Sequence, residues 1–497
     1  MNRWQRVELT PNAMDQNWNL TFLNESFQFT DWKVQGKSKL WLYNLHYFDW
    51  LNSHNAQENQ ENNDFLIADW IKENEFGKGV GWEPYPTSLR IVNWVKYFLS
   101  IGHARKEWQD SLWSQALSLE QDVEWHLLGN HLFANAKALI FAGTYFEGDT
   151  AARWSQLGYS ILSKELDEQI LADGGNFELS PMYHNIILAD MLDLYNLSIC
   201  ASSGDICQLR DKLASKIQSM FSWSQAMMHP DGDVSFFNDS ARNIAPQIGG
   251  LIDYGAKLGL ERDIGETSRP VTNLVESGYV VLEKGPFYLV ADVGHVGPDY
   301  IPGHAHADTL SFELSMGVQR VFVNSGTSVY GLGEERLRQR QTISHNTVVV
   351  DNADSSEVWG GFRVAKRAIP GVVNIEQNND SVSVACSHNG YSTFANKRVH
   401  ERTWELSEGG LKVVDEIDGK FLTATAYFYL HPNIVVEQLS DTQIELVLPS
   451  NERLSLVSSD VMKIEDTTWH PEFGVSIPNK RIAIDLKNKV LEVSLLK

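Results

Sequence analysis

Histidines spaced for metal binding or proton transfer stand out first in this sequence. His304 and His306 lie two residues apart behind a Pro302-Gly303 turn and ahead of Asp308. An alternating run from Thr309 to Met316 follows, and His345 precedes a second such run, Thr347 to Asp351. Imidazoles held at strand edges beside a carboxylate are suited to holding a divalent cation or to moving a proton near neutral pH. The plain alternative is three separate hydrogen-bonded turn residues. Their clustering around Asp308, with a basic stretch between, favours a site.

Two places in the first half of the chain carry further chemistry. In GNHLFANAKALIFAG, Asn130 and His131 follow Gly129 and open an apolar helical run. Asn130 there either caps the helix or joins His131 in presenting an amide and an imidazole, from the helix N-terminus, to an anionic group. In DGGNFELSPMYHNIILADML, a Gly-Gly turn, Glu178, Ser180 and Pro181 bring Tyr183 and His184 onto the first turn of a long helix. A tyrosine beside a histidine can act as acid or base once nearby positive groups lower its pKa. A core tyrosine at a helix start is the plainer reading of that segment alone.

The elements that must position these residues change character part-way along the chain. WLYNLHYFDWL, Trp41 to Leu51, is an aromatic block that reads as packing or as a groove lining, and the polar tract Asn52 to Asp64 reads as a solvated loop or helix end. From about residue 66 to 265 the apolar spacing is helical, as in SLRIVNWVKYFLSIG, with Pro84 and Pro86 before it and Gly102 at its end. Beyond about residue 270 the period becomes two, in SGYVVLEK, PFYLVADV, TLSFELSM, SVSVACS, GLKVVDEI and TATAYFYL. Helices first and strands second predict a barrel, an incomplete toroid of paired helices or a plain bundle, followed by an antiparallel β-sandwich. The expected boundary lies at Arg262 to Thr272, giving domains 1–268 and 269–497.

Composition narrows the function. At 497 residues the chain exceeds what one core usually serves. A formal charge of −23 argues against nucleic-acid binding, though a locally basic cleft can still take an acidic polymer. Sixteen Trp, 16 Tyr and 22 Phe suit either saccharide platforms or a large helical core. Cys200, Cys207 and Cys386 form no disulfide framework and no zinc-finger pattern. No apolar run is long enough for a membrane span and the start has no signal-peptide core, so the expected compartment is cytoplasmic, or periplasmic or secreted if a signal has been removed.

The motifs NHLFANAKALIFAG, ELSPMYH, PGHAHADTLSFEL, NSGTSVY and SHNTVVVD, in that order across the helix-to-strand switch, resemble the heparinase II/III-like polysaccharide lyases and related alginate lyases. The resemblance covers most of the chain and implies an incomplete (α/α) toroid followed by an antiparallel β-sandwich. It implies β-elimination at a uronic acid in an acidic polysaccharide, with catalytic residues Asn130, His131, Tyr183 and His304. Asn130, with His131, would neutralise the uronate carboxylate as a carbanion forms at C5. Tyr183 would protonate the leaving oxygen, and His304 is a candidate base; these groups would meet in the cleft between the domains. Arg90, Glu178, His184 and Arg338 are assigned to substrate binding, and Arg336 and Arg340 are further candidates. At least two of Arg336, Arg338 and Arg340 are expected to be solvated surface charges.

The same resemblance implies a structural zinc held by His306, His345 and residue 324. Asn324 stands where the family has aspartate, and a neutral amide is the poorer ligand, so the site is expected to be weak or empty unless Asp308 or a water compensates. Three other classes compete: a uronyl C5-epimerase, a glycoside hydrolase, and a non-catalytic polysaccharide-binding protein of a surface-polysaccharide pathway. A hydrolase would need a convincing carboxylate pair, and the presence of both Asn130 and Tyr183 favours an enzyme over a binding protein. Neither the polymer nor the oligomeric state is legible.

Overall fold

The computed structural model describes residues 4–10, 14–202, 204–260 and 269–497. The expected boundary at 268/269 therefore falls at the edge of residues outside that description. The chain divides into two compact units, one of Met1–Ile170, Asn185–Phe221 and Pro246–Arg262, the other of Leu171–His184, Ser222–Ala245 and Asp263–Lys497.

The first unit is built mainly of helices. Pro84–Ile101 begins with its prolines inside the first turn, where the missing N–H would have had no helical partner, and ends at Gly102 with φ +76°. The aromatic block packs inward, with Trp41, Leu45, Tyr47, Phe48, Trp50 and Leu51 all buried. The polar tract after it is less solvated than its composition suggests. Asn59 and Asn63 are buried and donate their side-chain amides to the carbonyls of Met14 and Ala56, so the side chains stand in for missing backbone partners.

Among the described residues, the second unit holds three larger antiparallel sheets and one two-stranded hairpin. The five-stranded one is a meander of Val271–Leu274, Tyr279–Lys284, Phe287–Asp292, Phe312–Met316 and Gln319–Phe322. A four-stranded sheet runs Met462–Trp469, Ile477–Asp485, Ala424–Tyr429, Val348–Val350. The third sheet has eight strands between Asn374–Gln377 at one edge and Val435–Ser440 at the other. Its strand Ser381–His388 alternates strictly, sending Val382, Val384 and Cys386 into a core shared with Val280, Leu282, Leu314, Val348 and Phe428 of the other two sheets. That shared core makes the unit a β-sandwich.

The five-stranded meander is buried on both faces. While Val280, Leu282 and Leu289 face the sandwich core, Tyr279, Val281 and Val290 pack with Leu179, Trp223, Met227 and Phe237. These last four come from the two earlier segments, which explains why Leu171–His184 and Ser222–Ala245 group with the strands. Burying each such side chain is worth roughly 1.5–3 kcal/mol. Trp223 adds an indole N–H bond to Ser277 Oγ at 2.9 Å.

Candidate functional site

Tyr183 is the third residue of the helix Pro181–Cys200. Proline suits that helix start, and Ser180 Oγ caps it by accepting the Tyr183 N–H at 3.2 Å while donating to the Asp239 carbonyl at 2.6 Å. The result is a tyrosine fixed at both backbone and ring. Its ring stacks on His304 with centroids 3.9 Å apart and planes 29° from parallel. Its hydroxyl lies 3.0 Å from the Tyr330 hydroxyl.

His304 is oriented by a carboxylate the sequence reading did not single out. Its Nδ1 lies 2.9 Å from Asp239 Oδ2, and His306 Nε2 lies 2.9 Å from the other oxygen, Oδ1. Arg336 closes the arrangement from the opposite side, bonding both oxygens of the fully buried Asp239. Burial alone would favour the neutral acid, yet the Arg336 guanidinium and the two histidine N–H donors hold Asp239 well below the usual carboxylate range. A carboxylate can only accept, so each histidine presents an N–H to it. That leaves Nε2 of His304 and Nδ1 of His306 as the lone-pair nitrogens when the rings are neutral. Glu178 Oε2 stands 3.4 Å from His304 Nε2.

Aromatic rings complete the surroundings. Arg336 lies over Tyr330 at 4.8 Å and over Phe362 at 5.2 Å, and Phe362 meets His304 edge-on at 6.2 Å. Phe362 belongs to the hairpin of Val358–Trp359 and Arg363–Val364. Arg336 Nε anchors the hairpin through Gly361 O at 3.0 Å, and Arg340 Nη2 through Arg363 O at 3.2 Å.

In the helical unit, Asn130 does not cap its helix. Gly129–Tyr145 starts one residue earlier, and Leu128 at the cap position has φ 57° with no side-chain capping bond. His131, partly exposed, places Nδ1 3.0 Å from Glu124 Oε1 and packs on Tyr85 at 4.3 Å. Glu124 is buried and receives the Asn135 amide at 3.0 Å, so the imidazole is braced from behind.

Four expectations need correction. Arg90 is wholly buried, with its donors spent on Gln115 Oε1, His46 O, Gly81 O and Thr87 Oγ1, and its guanidinium 3.9 Å from the Trp70 ring. It is a structural cation with no face left for a substrate carboxylate. His184 is likewise buried, accepting the Asn176 N–H and stacked on Trp223 at 4.3 Å. Arg336 and Arg340 are buried, not solvated, because both brace the hairpin. Asn324 spends its carbonyl on the Asn346 N–H at 3.2 Å. Arg338 remains partly exposed but is bonded to Glu335, Thr468 and His470.

A different trio offers metal ligands. Ligand atoms of His306, Asp308 and His345 all lie within 4.8 Å of one another, and all three residues are buried. Among the described residues, His306 Nδ1 and both ring nitrogens of His345 have no hydrogen-bond partner, an arrangement costly without an occupant. Burial lowers His306 to about 4, so it is neutral near pH 7 as a ligand must be. Two imidazoles and a carboxylate are a donor set that fits zinc.

Known proteins resemble both parts of this chain. Residues 13–248 match the heparinase II/III N-terminus and residues 266–492 the heparinase II/III-like C-terminal family, which together account for most of the chain. The chain belongs to the heparinase II/III-like family. Among relatives of this heparinase II/III-like chain, a heparin-sulfate lyase of Bacteroides stercoris is 26% identical over 310 residues, 59% of this chain and 44% of the relative. A heparin-sulfate lyase of Pedobacter heparinus is 24% identical over 413 residues, 72% of this chain and 60% of the relative. The chain thus spans about half the length of the curated relatives it matches. The crystal structure of a heparinase III superposes with a TM-score of 0.75 at 18% identity, covering 94% of this chain and 79% of that one. The incomplete (α/α) toroid followed by an antiparallel β-sandwich is therefore the fold.

Asp239 and Tyr330 are the residues that sequence reasoning missed. Tyr330 closes the motif NSGTSVY that carried the resemblance, so its signal was present. Asp239, in FNDSAR, carries no pattern that separates it from an ordinary turn aspartate.

Proposed function

We propose that this chain is a polysaccharide lyase that cleaves a uronate-containing glycosaminoglycan by β-elimination. The observation that carries the reading is the stacked Tyr183–His304 pair, with His304 Nδ1 committed to Asp239 and its Nε2 left as a base. Nε2 takes the C5 proton, and the electron pair from that bond forms the C4–C5 double bond. The C4–oxygen bond breaks, and the Tyr183 hydroxyl gives its proton to the departing oxygen. Tyr330, 3.0 Å from that hydroxyl, can return a proton to it. Glu178, 3.4 Å from Nε2, stabilises the imidazolium formed in the first step. The resemblance assigns the uronate carboxylate to Asn130 and His131, and the Glu124 brace behind His131 suits that task. The names of the relatives, heparin-sulfate lyases, support a sulfated uronate polymer.

His306, His345 and Asp308 form the zinc site in this reading, with Asp308 taking the place expected of residue 324. Bound zinc would stiffen the segment between His304 and Asp308 and take no part in a proton transfer.

The test is incubation with heparan sulfate, chondroitin sulfate, hyaluronan and alginate, following the absorbance of the unsaturated uronate. Tyr183→Phe should lower kcat about 10²–10⁴-fold, the usual worth of an acid-base group, with KM nearly unchanged. Retained turnover would remove Tyr183 from the mechanism. No absorbance rise with any polymer, together with deuterium uptake at C5, would point to the epimerase instead.

A further inference from the structure

A cluster of basic residues lies on the β-strand unit, beginning at the hairpin that carries Phe362. Three stretches, residues 360–373, 389–400 and 419–423, contain Arg363, Lys366, Arg367, Lys397, Arg398 and Lys420 and not one aspartate or glutamate. In a chain with 64 acidic and 41 basic residues this is a marked local reversal of sign.

The stretches are joined in space. Lys366 Nζ donates to Gly390 O at 2.7 Å, Asn396 Nδ2 to Lys420 O at 2.6 Å, and Arg398 Nε to the same carbonyl at 2.7 Å. A Cβ added at Gly419 would lie 2.4 Å from Lys397 O, so those two loops touch. Acidic neighbours take up part of the charge: Asp351 pairs with Arg398 at 2.6 Å and Asp299 with Arg367 at 3.5 Å, while Asp418, next to Gly419, is itself paired with Lys489 at 2.9 Å. The exposed Lys397 and Lys420 are left on adjoining loops. Phe394 projects fully into solvent from the same loop as Lys397, with Leu422 exposed at 93% beside Lys420. Lysines next to an unsupported aromatic ring suit a chain whose units carry both a charge and a C–H face.

Chain connectivity ties this surface to the site. The first stretch begins at the hairpin whose Phe362 meets His304 and whose Trp359 is 55% exposed. From there it runs through Arg363 to Lys366, which is bonded to the loop bearing Phe394. Basic and aromatic residues thus continue from the hairpin that meets His304 to the loops bearing Lys397 and Lys420. We propose that Lys397, Lys420 and Phe394 form an exosite that holds a distant part of the same acidic polysaccharide chain while its uronate is cleaved at His304. The inference rests on the lyase reading. An exosite acts only on a substrate long enough to span both places, since it works by raising the effective concentration of the tethered polymer.

The experiment compares the wild type with a K397E/K420E variant on long heparan sulfate and on a purified tetrasaccharide. KM for the long polymer should rise about tenfold, kcat should stay within about twofold, and both constants for the tetrasaccharide should be unchanged. K397R/K420R should behave as wild type. An unchanged long-chain KM would overturn the proposal. So would lysine-dependent binding to phosphatidylserine vesicles without any long-chain effect, since the surface would then serve a lipid. To separate this from failure of the lyase reading, the Kd of long heparan sulfate is also measured in a Tyr183→Phe background. A lysine-dependent, salt-sensitive Kd there sustains the exosite even if no polymer is cleaved, whereas equal affinity with and without the lysines refutes it.

Discussion

Replacing Asp239 by asparagine poses a question with only two structural answers. The native carboxylate accepts from Arg336 and His306 on Oδ1 and from Arg336 and His304 on Oδ2. An amide keeps one acceptor oxygen and turns the other position into a donor. If the new NH2 faces His304, that ring must place its proton on Nε2, which removes the base. If it faces His306, the proton moves onto Nδ1, the nitrogen left without a hydrogen-bond partner and so the one available to a metal. The first outcome should lower kcat by about 10²–10⁴-fold, the worth of a lost general base. The second should weaken zinc by about 10–100-fold, as loss of a supporting partner does. In both cases Arg336 loses its counter-charge inside the fold, at a cost of about 3–5 kcal/mol. Activity must therefore be measured where circular dichroism shows the variant folded, alongside metal content by mass spectrometry and the thermal midpoint. A folded Asp239→Asn protein with kcat and zinc both within about twofold of wild type would refute the shared-carboxylate argument.

Other consequences can be measured directly. Asp308→Asn should cut zinc retention by more than the 10–100-fold that a supporting residue is worth, and Asn324→Ala should not; dialysis with metal analysis decides. Arg90→Ala should destabilise by about 3–5 kcal/mol in urea, because Gln115 and two carbonyls lose their donor, while kcat of the folded protein stays unchanged. Asp415, buried against Arg402 and His400, is held at about 2 despite burial. Its folded pKa is below the unfolded value, so its stabilisation of about 2 kcal/mol is present above pH 4 and fades as pH falls towards 2. In Asp415→Asn that portion of the acid-unfolding curve should flatten.

The change of period near residue 270 made the sandwich readable, because burial on one face writes itself as alternation in strands such as Ser381–His388, but it gave no sign that Leu171–His184 and Ser222–Ala245 group with those strands. Tyr183 and His304 were legible as candidates since proline and glycine punctuation set them at element ends. Arg90 was misread because a cation in a helix looks the same whether its partners are substrate or backbone carbonyls. Asp239 stayed invisible for a related reason: its partners are 65 to 97 residues away, at His304, His306 and Arg336, and no local pattern announces them. In the metal trio, Asp308 shares a local run with His306, whereas its approach to His345 spans 37 residues and has no local pattern.

The double-faced meander constrains how this polypeptide can be divided. Cutting at residue 269 would leave a fragment with every strand of the sandwich yet without Leu179, Trp223, Met227 and Phe237. Tyr279, Val281 and Val290 would then meet water as a contiguous sticky sheet face, and such a piece should aggregate during refolding. Tyr183 would be lost in the same stroke. Recombination among relatives at that seam would carry the same penalty, so exchange that respects the fold must move the two interior segments together with the strands they cover.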